Sequence, residues 1–278
     1  MNPEFSFRRL PSAAALWLLL FTAAAPGLTP VAEDETGNMA DIAKKLNNPV
    51  ASLINLPFQS NFDFGGGPGD DGFQYKLNFQ PVVPIRLNDD WKIISRTIIP
   101  YIYQEDRIGE SSQSGLGDIT ASLFFSPENE NEGAPVWGVG PVFLFPSASD
   151  DLLGTEKWGL GPTVLLLKQS KGWTAGLLAS QLWSFAGEEE RDDVSLTSIQ
   201  PFLNYTTPSH TSFGLNLEST YDWTPEEWTV PVNLMVSQLV RFGKLPVNFQ
   251  LGGRYYLDKP DGGPDWGLRF AVTFVIPE

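Results

Sequence analysis

The sequence predicts an all-β chain: a transmembrane antiparallel up-and-down β-barrel of about 12 strands, with a short N-terminal periplasmic helix. Three observations predict it. From residue 51 onward apolar and polar side chains alternate with a period of two, and no helical period appears. Eight of the nine tryptophans fall at or near the ends of these alternating segments. The connections alternate between long, acidic or glycine-rich runs and mostly shorter turns.

Composition sets the bounds. The 278 residues carry 18 basic and 33 acidic side chains, so the net charge is 18 − 33 = −15. So acidic a chain lacks the clustered Lys and Arg that phosphate contacts require, and no nucleic-acid partner is expected. The chain has no Cys and only His210, which excludes disulfides, thiol nucleophiles, Cys zinc sites and His-rich metal centres. No cofactor and no metal are expected. A mean hydropathy of −0.12 excludes a polytopic helical membrane protein but not a barrel, whose strands average apolar with polar positions.

The first element is an address. Arg8 and Arg9 precede an apolar run from Ala13 to Ala25, too short for a membrane-spanning helix. A basic start, a short apolar run and small residues at Ala23 and Ala25 mark residues 1–25 as a cleaved signal peptide. Residues 26–50 form a periplasmic segment with one short amphipathic helix. Asn38 serves as its cap, Met39, Ile42 and Leu46 share a face, and Pro49 ends it.

Residues 51–278 form the barrel. The alternating segments run 53–64, 73–85, 91–103, 116–126, 136–146, 157–168, 172–186, 194–206, 211–223, 228–241, 245–257 and 266–276. Segments of this length match the 9–11 residues of a tilted membrane strand. In the last, Trp266, Leu268, Phe270, Val272, Phe274 and Ile276 oppose Gly267, Arg269, Ala271 and Thr273. In the ninth, Phe213, Leu215, Leu217 and Tyr221 oppose Asn216, Glu218 and Thr220. The tryptophans outside the signal are Trp91, Trp137, Trp158, Trp173, Trp183, Trp223, Trp228 and Trp266, placed for two interfacial girdles. Long connections such as 65–72 and 187–193 lie on one side, and turns such as 87–90 and 169–171 on the other; the acidic run 127–135 is the exception. An even strand count returns both ends to the periplasm. Trp137-Gly138-Val139-Gly140-Pro141 recurs as Trp158-Gly159-Leu160-Gly161-Pro162, a hairpin duplication whose glycines allow close packing.

Chemistry is sparse. His210 sits in a turn, and Asp192 and Asp193 lie in a Glu-rich loop without a cleft signal, so no catalytic residue is assigned and no enzyme is expected. The inward phase carries a basic lumen wall, Lys76, Arg96, Arg254 and Arg269, with acidic partners Asp63, Asp118 and Glu218. A final hairpin symmetric about its loop pairs positions that sum to 523, which places Arg254 directly opposite Arg269. Asp63 is then the first compensating acid and Glu218 the second.

The runs Asn48-Pro49-Val50-Ala51-Ser52-Leu53-Ile54, Trp137-Gly138-Val139-Gly140-Pro141, Leu182-Trp183-Ser184-Phe185-Ala186-Gly187, Glu218-Ser219-Thr220-Tyr221-Asp222-Trp223 and Asp261-Gly262-Gly263-Pro264 resemble a bacterial outer-membrane family. It is labelled as the MetA pathway of phenol degradation, and relatives are called transporters or, misleadingly, neuromedin U. The resemblance implies an outer-membrane barrel and uptake of small solutes, aromatic compounds among them. It carries no catalytic residues. The chain end, Val275-Ile276-Pro277-Glu278, departs from the terminal aromatic usual in such barrels.

The expected function is therefore a porin-like pore or facilitator in the outer membrane of a Gram-negative bacterium. Its expected partners are outer-membrane lipid and lipopolysaccharide, the barrel-assembly machinery and a small-molecule solute. The rivals are an outer-membrane phospholipase-like enzyme, which needs a Ser–His pair, and a secreted β-sandwich binding module.

Overall fold

Period-two alternation gives every segment one apolar and one polar face, and a closed sheet satisfies both without leaving an edge. In the computed structural model the described residues are 33–108, 111–128 and 134–276. The expected signal peptide 1–25, residues 26–32, most of the 127–135 connection and the Pro277-Glu278 end lie outside them.

The described strands form twelve staves. Stave 1 is β1 (Ile54–Phe64). Stave 2 is β2 (Phe73–Phe79) with β3 (Val82–Arg86), and stave 3 is β4 (Trp91–Glu105). Stave 4 is β5 (Ser112–Leu116) with β6 (Ile119–Pro127), and stave 5 is β7 (Pro135–Phe145). Staves 6 to 8 are β8 (Lys157–Ser170), β9 (Trp173–Gly187) and β10 (Ser195–Thr206). Stave 9 is β11 (Thr211–Leu217) with β12 (Ser219–Asp222). Stave 10 is β13 (Glu227–Thr229) with β14 (Pro231–Phe242). Staves 11 and 12 are β15 (Leu245–Tyr256) and β16 (Trp266–Ile276). Each pairs antiparallel with its sequence neighbours, and stave 12 closes onto stave 1 from Ile54↔Ile276 to Phe64↔Trp266. This closed up-and-down topology rules out the β-sandwich.

Four staves are interrupted, each for a local reason. Stave 2 breaks at Gln80-Pro81, where proline has no N–H for the ladder. Stave 9 breaks at Glu218, beside Pro201 of one neighbour and Pro231 of the other, and Pro231 opens β14 in stave 10. Stave 4 carries a bulge: pairs with stave 3 run Tyr101↔Leu116 on one side of Gly117-Asp118 and Ile98↔Thr120 on the other. One extra residue is accommodated there. Consequently stave 4 begins at Ser112 rather than at the expected 116.

The duplicated Gly-Pro runs meet as Pro141↔Pro162, and each ladder to the outer neighbour skips beside them. A Cβ on Gly140 or Gly161 would collide with the carbonyl oxygen of Leu123 or Gln181, which is the close packing expected of these glycines.

Two aromatic rings encircle the outer face. Trp266 stacks on Phe64 (4.6 Å between centroids), Phe145 meets Trp158, and Tyr221 lies between Trp223 and Trp228 at one end. At the other, Trp91 stacks on Phe125 (4.4 Å) and Trp173 touches Tyr205. Between them the outward residues, including Leu160, Val164, Leu215 and Leu251, are exposed aliphatics. Apolar exposure in a band between aromatic rings is the surface of a bilayer-spanning barrel.

Helix α1 (Glu33–Leu46) begins five residues before Asn38, which is therefore interior and not the cap. Along its 37–46 portion, Met39, Ile42 and Ala43 are buried against Ala51, Leu53, Leu239 and Val275, and Leu46 packs beside them. Asn47 Nδ2 donates to Thr206 Oγ1 at 2.9 Å, and Gln169 Nε2 donates to the Lys44 carbonyl at 2.9 Å. The 37–46 portion thus occupies the barrel mouth at the end of the short turns.

Candidate functional site: a charged belt across the lumen

Arginines facing the inside of a barrel must find acids or amides, because water there is confined and an unpaired ion is costly. Arg269 is 3% exposed and Arg254 10%, and both converge on Glu218. Arg269 grips it with two nitrogens, Nη1 to Oε1 at 2.7 Å and Nη2 to Oε2 at 2.8 Å; Arg254 Nη2 reaches Oε2 at 2.7 Å. Gln200 Nε2 adds a longer contact to Oε1 at 3.4 Å. Arg254 Nη1 also donates to Asp63 (3.3 Å) and to Tyr256 Oη (3.3 Å), while its Nε donates to Asn233 Oδ1 (2.9 Å). Arg269 Nε donates to Asn61 Oδ1 at 2.8 Å. Glu218 comes from stave 9, Asn233 from 10, Arg254 from 11, Arg269 from 12, and Asn61 and Asp63 from stave 1. The belt crosses five consecutive staves.

Register makes this reach possible. The hairpin pairs Gly252↔Arg269 and Arg254↔Gly267, so paired positions sum to 521 and not 523. The arginines are diagonal neighbours rather than directly opposed, and each faces a glycine. The loop between β15 and β16, 257–265, shifts the ladder by two residues, which leaves the inward phase intact and changes only the partner. The order of the acids is reversed too: Glu218 is the principal partner and Asp63 the longer one.

Asp118 does not join the belt. It lies at the stave 4 bulge, where its carboxylate accepts from the N–H groups of Ser147, Ala148 and Thr155 and from Thr155 Oγ1 at 2.6–3.1 Å. It organises the 147–155 loop, and a period-two count could not register the extra residue that places it there. Lys76 and Arg96 do face inward, on staves 2 and 3. Arg96 Nη2 donates to Gln80 Oε1 at 2.9 Å, and among the described residues neither cation has a carboxylate within ion-pair distance. Lys76 stands in the same rung as Arg269 and Asn61.

Several belt members escaped the sequence analysis: Asn61, Asn233, Tyr256 and a glutamine ladder. In that ladder Gln74 Nε2 donates to Gln104 Oε1 (3.1 Å) and Gln104 Nε2 to Gln113 Oε1 (3.0 Å), continuing the rung of Arg254 and Asp63 across staves 2 to 4. A search for polar residues at one height on successive inward phases would have found them. The opposite wall is apolar, with Ile94, Phe124, Leu165 and Leu167 buried on its inner side beneath Val50.

Of the remaining sequence candidates, Asp193 is held by local bonds, whereas His210 Nε2 is buried with no hydrogen-bond partner among the described residues. His210 holds a left-handed turn (φ 62°) and borders a cavity of about 140 Å³ beneath the helix. Ser209 Oγ bonds to Thr207 Oγ1 at 2.9 Å, and no described Ser–His hydrogen bond exists. Asp193 accepts from Lys157 Nζ at 3.3 Å and from Ser184 Oγ at 3.1 Å, and these bonds hold its carboxyl below the ordinary carboxylate range.

A closed, apolar-faced barrel around a belt of bonded charges defines a transmembrane β-barrel. The chain belongs to the family described as "Putative MetA-pathway of phenol degradation", whose model matches residues 60–273. Among solved structures it is similar to the COG4313 outer membrane channel from Pseudomonas putida F1, with a TM-score of 0.61 and 16% identity. That alignment covers 80% of this chain and 93% of that one. The KdgM porin aligns over 81% of this chain and 99% of its own, with a TM-score of 0.44 and 10% identity. No curated protein sequence matches the chain.

Proposed function

We propose that this protein is an outer-membrane pore for small solutes, exported with a cleaved signal peptide in a Gram-negative bacterium, and that it is not an enzyme. One observation carries the reading: one wall of the lumen is lined by charges, inside a barrel whose outer face is apolar and ringed by tryptophan. The fold shared with an outer membrane channel supports it, and the family description supports aromatic compounds among the solutes. Outer-membrane lipid and lipopolysaccharide contact the exposed band, and the barrel-assembly machinery inserts it.

Fractionation with heat-modifiable gel mobility and planar-bilayer recording tests this reading together. The expected result is a detergent-requiring, heat-modifiable barrel that conducts. A soluble, non-heat-modifiable product ends it; hydrolysis of phospholipid by the pure barrel would favour the enzyme instead.

A further inference from the structure

We infer that Lys76 and Arg96 form an anion-guiding track through the lumen, and that the solute class served is small organic anions such as carboxylates. The inference deepens the pore reading and rests on it.

Charge balance separates two groups of cations that the inward phase lists together. Arg254 and Arg269 face Asp63 and Glu218, two positive against two negative charges, all within 3.3 Å contacts. That cluster is closed: its donors are spent on carboxylates, on Asn61 and Asn233, and on Tyr256. Lys76 and Arg96 make no ion pair within it, and among the described residues the hydrogen-bond partner of the Arg96 guanidinium is the neutral Gln80 amide. Among the described residues, the four inward cations Lys76, Arg96, Arg254 and Arg269 thus share two carboxylates, Asp63 and Glu218, so positive charge is in excess by two on this wall of a chain whose net charge is −15.

Their placement suits conduction. Lys76 pairs with Ile102 on stave 3, and Arg96 of that stave pairs with Val82 on stave 2. The two cations are thus six residues apart in register, or about 20 Å along the strands. Arg107, whose Nη1 donates to the Gly65 carbonyl at 2.8 Å, stands in the loop beyond Lys76 at the far mouth. An anion entering there meets cations at successive heights on one wall. Fields in a narrow, low-dielectric channel are focused and raise the local concentration of counter-ions. Weak binding at several sites, rather than tight binding at one, is what passage requires. A permanently paired arginine offers little to a passing anion; an unpaired lysine offers three donors.

The test is a set of variants in planar bilayers under a potassium chloride gradient, repeated with potassium benzoate. The wild-type barrel should prefer anions. Lys76→Gln with Arg96→Gln should lower the anion-to-cation permeability ratio at least about threefold while heat-modifiable mobility stays intact. Lys76→Arg should keep the preference. Arg254→Gln with Arg269→Gln should act mainly on thermal stability. An unchanged ratio in the Lys76/Arg96 variant, a cation-preferring wild type, or unfolding of Lys76→Gln would each overturn the track. A folded barrel that carries no current would instead overturn the pore reading itself.

Discussion

Arg269 lies directly opposite Gly252 in the ladder between staves 12 and 11, and the absent side chain opens its route to Glu218, three staves away. Arg254 is arranged likewise opposite Gly267, across which it meets Asp63. The glycines are thus part of the ion network. A Cβ at Gly252 would stand 2.8 Å from the Leu234 carbonyl oxygen, and one at Gly267 would press on the Asp63 carboxylate and lie 2.7 Å from the Phe62 carbonyl.

Gly267→Ala should therefore destabilise the barrel by about 1–3 kcal/mol, the usual cost of overpacking. Gly253→Ala is the control, since nothing lies within 4 Å of its added methyl group. Urea unfolding in micelles compares them. Equal stability of the two variants would show that the glycines do not gate the arginines.

Glu218 neutralises two guanidinium groups that are almost fully enclosed. Its replacement by Gln should cost about 3 kcal/mol, because two buried cations lose their shared counter-charge. Combining Glu218→Gln with Arg269→Gln should cost less than the sum of the single changes, since the pair acts as a unit. Additive losses in thermal unfolding would contradict the network.

The period-two pattern made the staves legible, because each inward residue in β11, β15 and β16 follows from one count. It also exposed the arginines as lumen residues. Two things stayed hidden. The register of the last hairpin depends on how the 257–265 loop closes, and a symmetric loop was the wrong premise. The bulge at Gly117-Asp118 adds a residue without any change in alternation strong enough to announce it. Phase survives the misjudged loop, where only the partner changes, but it inverts across the bulge, with Gln113 buried before it and Phe124 and Ser126 after it; Asp118 was lost to the bulge and the Arg254–Arg269 pairing to the loop.

Face assignment has its own test. Leu215 is 38% exposed on the outer surface and Phe270 points the same way, whereas Asn216 bonds inward to Asn233 at 2.8 Å. Arginine at Leu215 or Phe270 should cost about 2–4 kcal/mol in bilayer refolding, and much less at Asn216 or Ala271. Equal costs would mean the faces are reversed.

At the mouth of the long loops, the carboxyl of Asp193 is held low by the Lys157 ammonium and the Ser184 hydroxyl. A depressed folded-state value contributes stability above the unfolded pKa, and this is lost as pH falls through the folded value. Loop 188–194 should stay protected at neutral pH and loosen below about pH 4. Asp193→Asn should show the looser behaviour at neutral pH already. Pepsin cleavage in the acid range and trypsin cleavage at Arg191 near neutrality would read this; a variant as resistant as wild type would remove Asp193 from any role in holding the loop.

The helix in the opposite mouth is held by an apolar seam. Ile42 is 7% exposed and packs with Leu239 and Val275, inward residues of staves 10 and 12. A carboxylate at that position has no cationic partner in the seam and should cost about 3 kcal/mol or more. The barrel itself is closed by the ladders from Ile54↔Ile276 to Phe64↔Trp266 and should not depend on the seam. Ile42→Asp should therefore leave heat-modifiable mobility intact, expose residues 37–50 to protease and raise single-channel conductance. Ala40→Asp, on the exposed side of the same helix, should change none of these. Protease resistance and conductance that match wild type in Ile42→Asp would show that the seam does not hold the helix in the mouth.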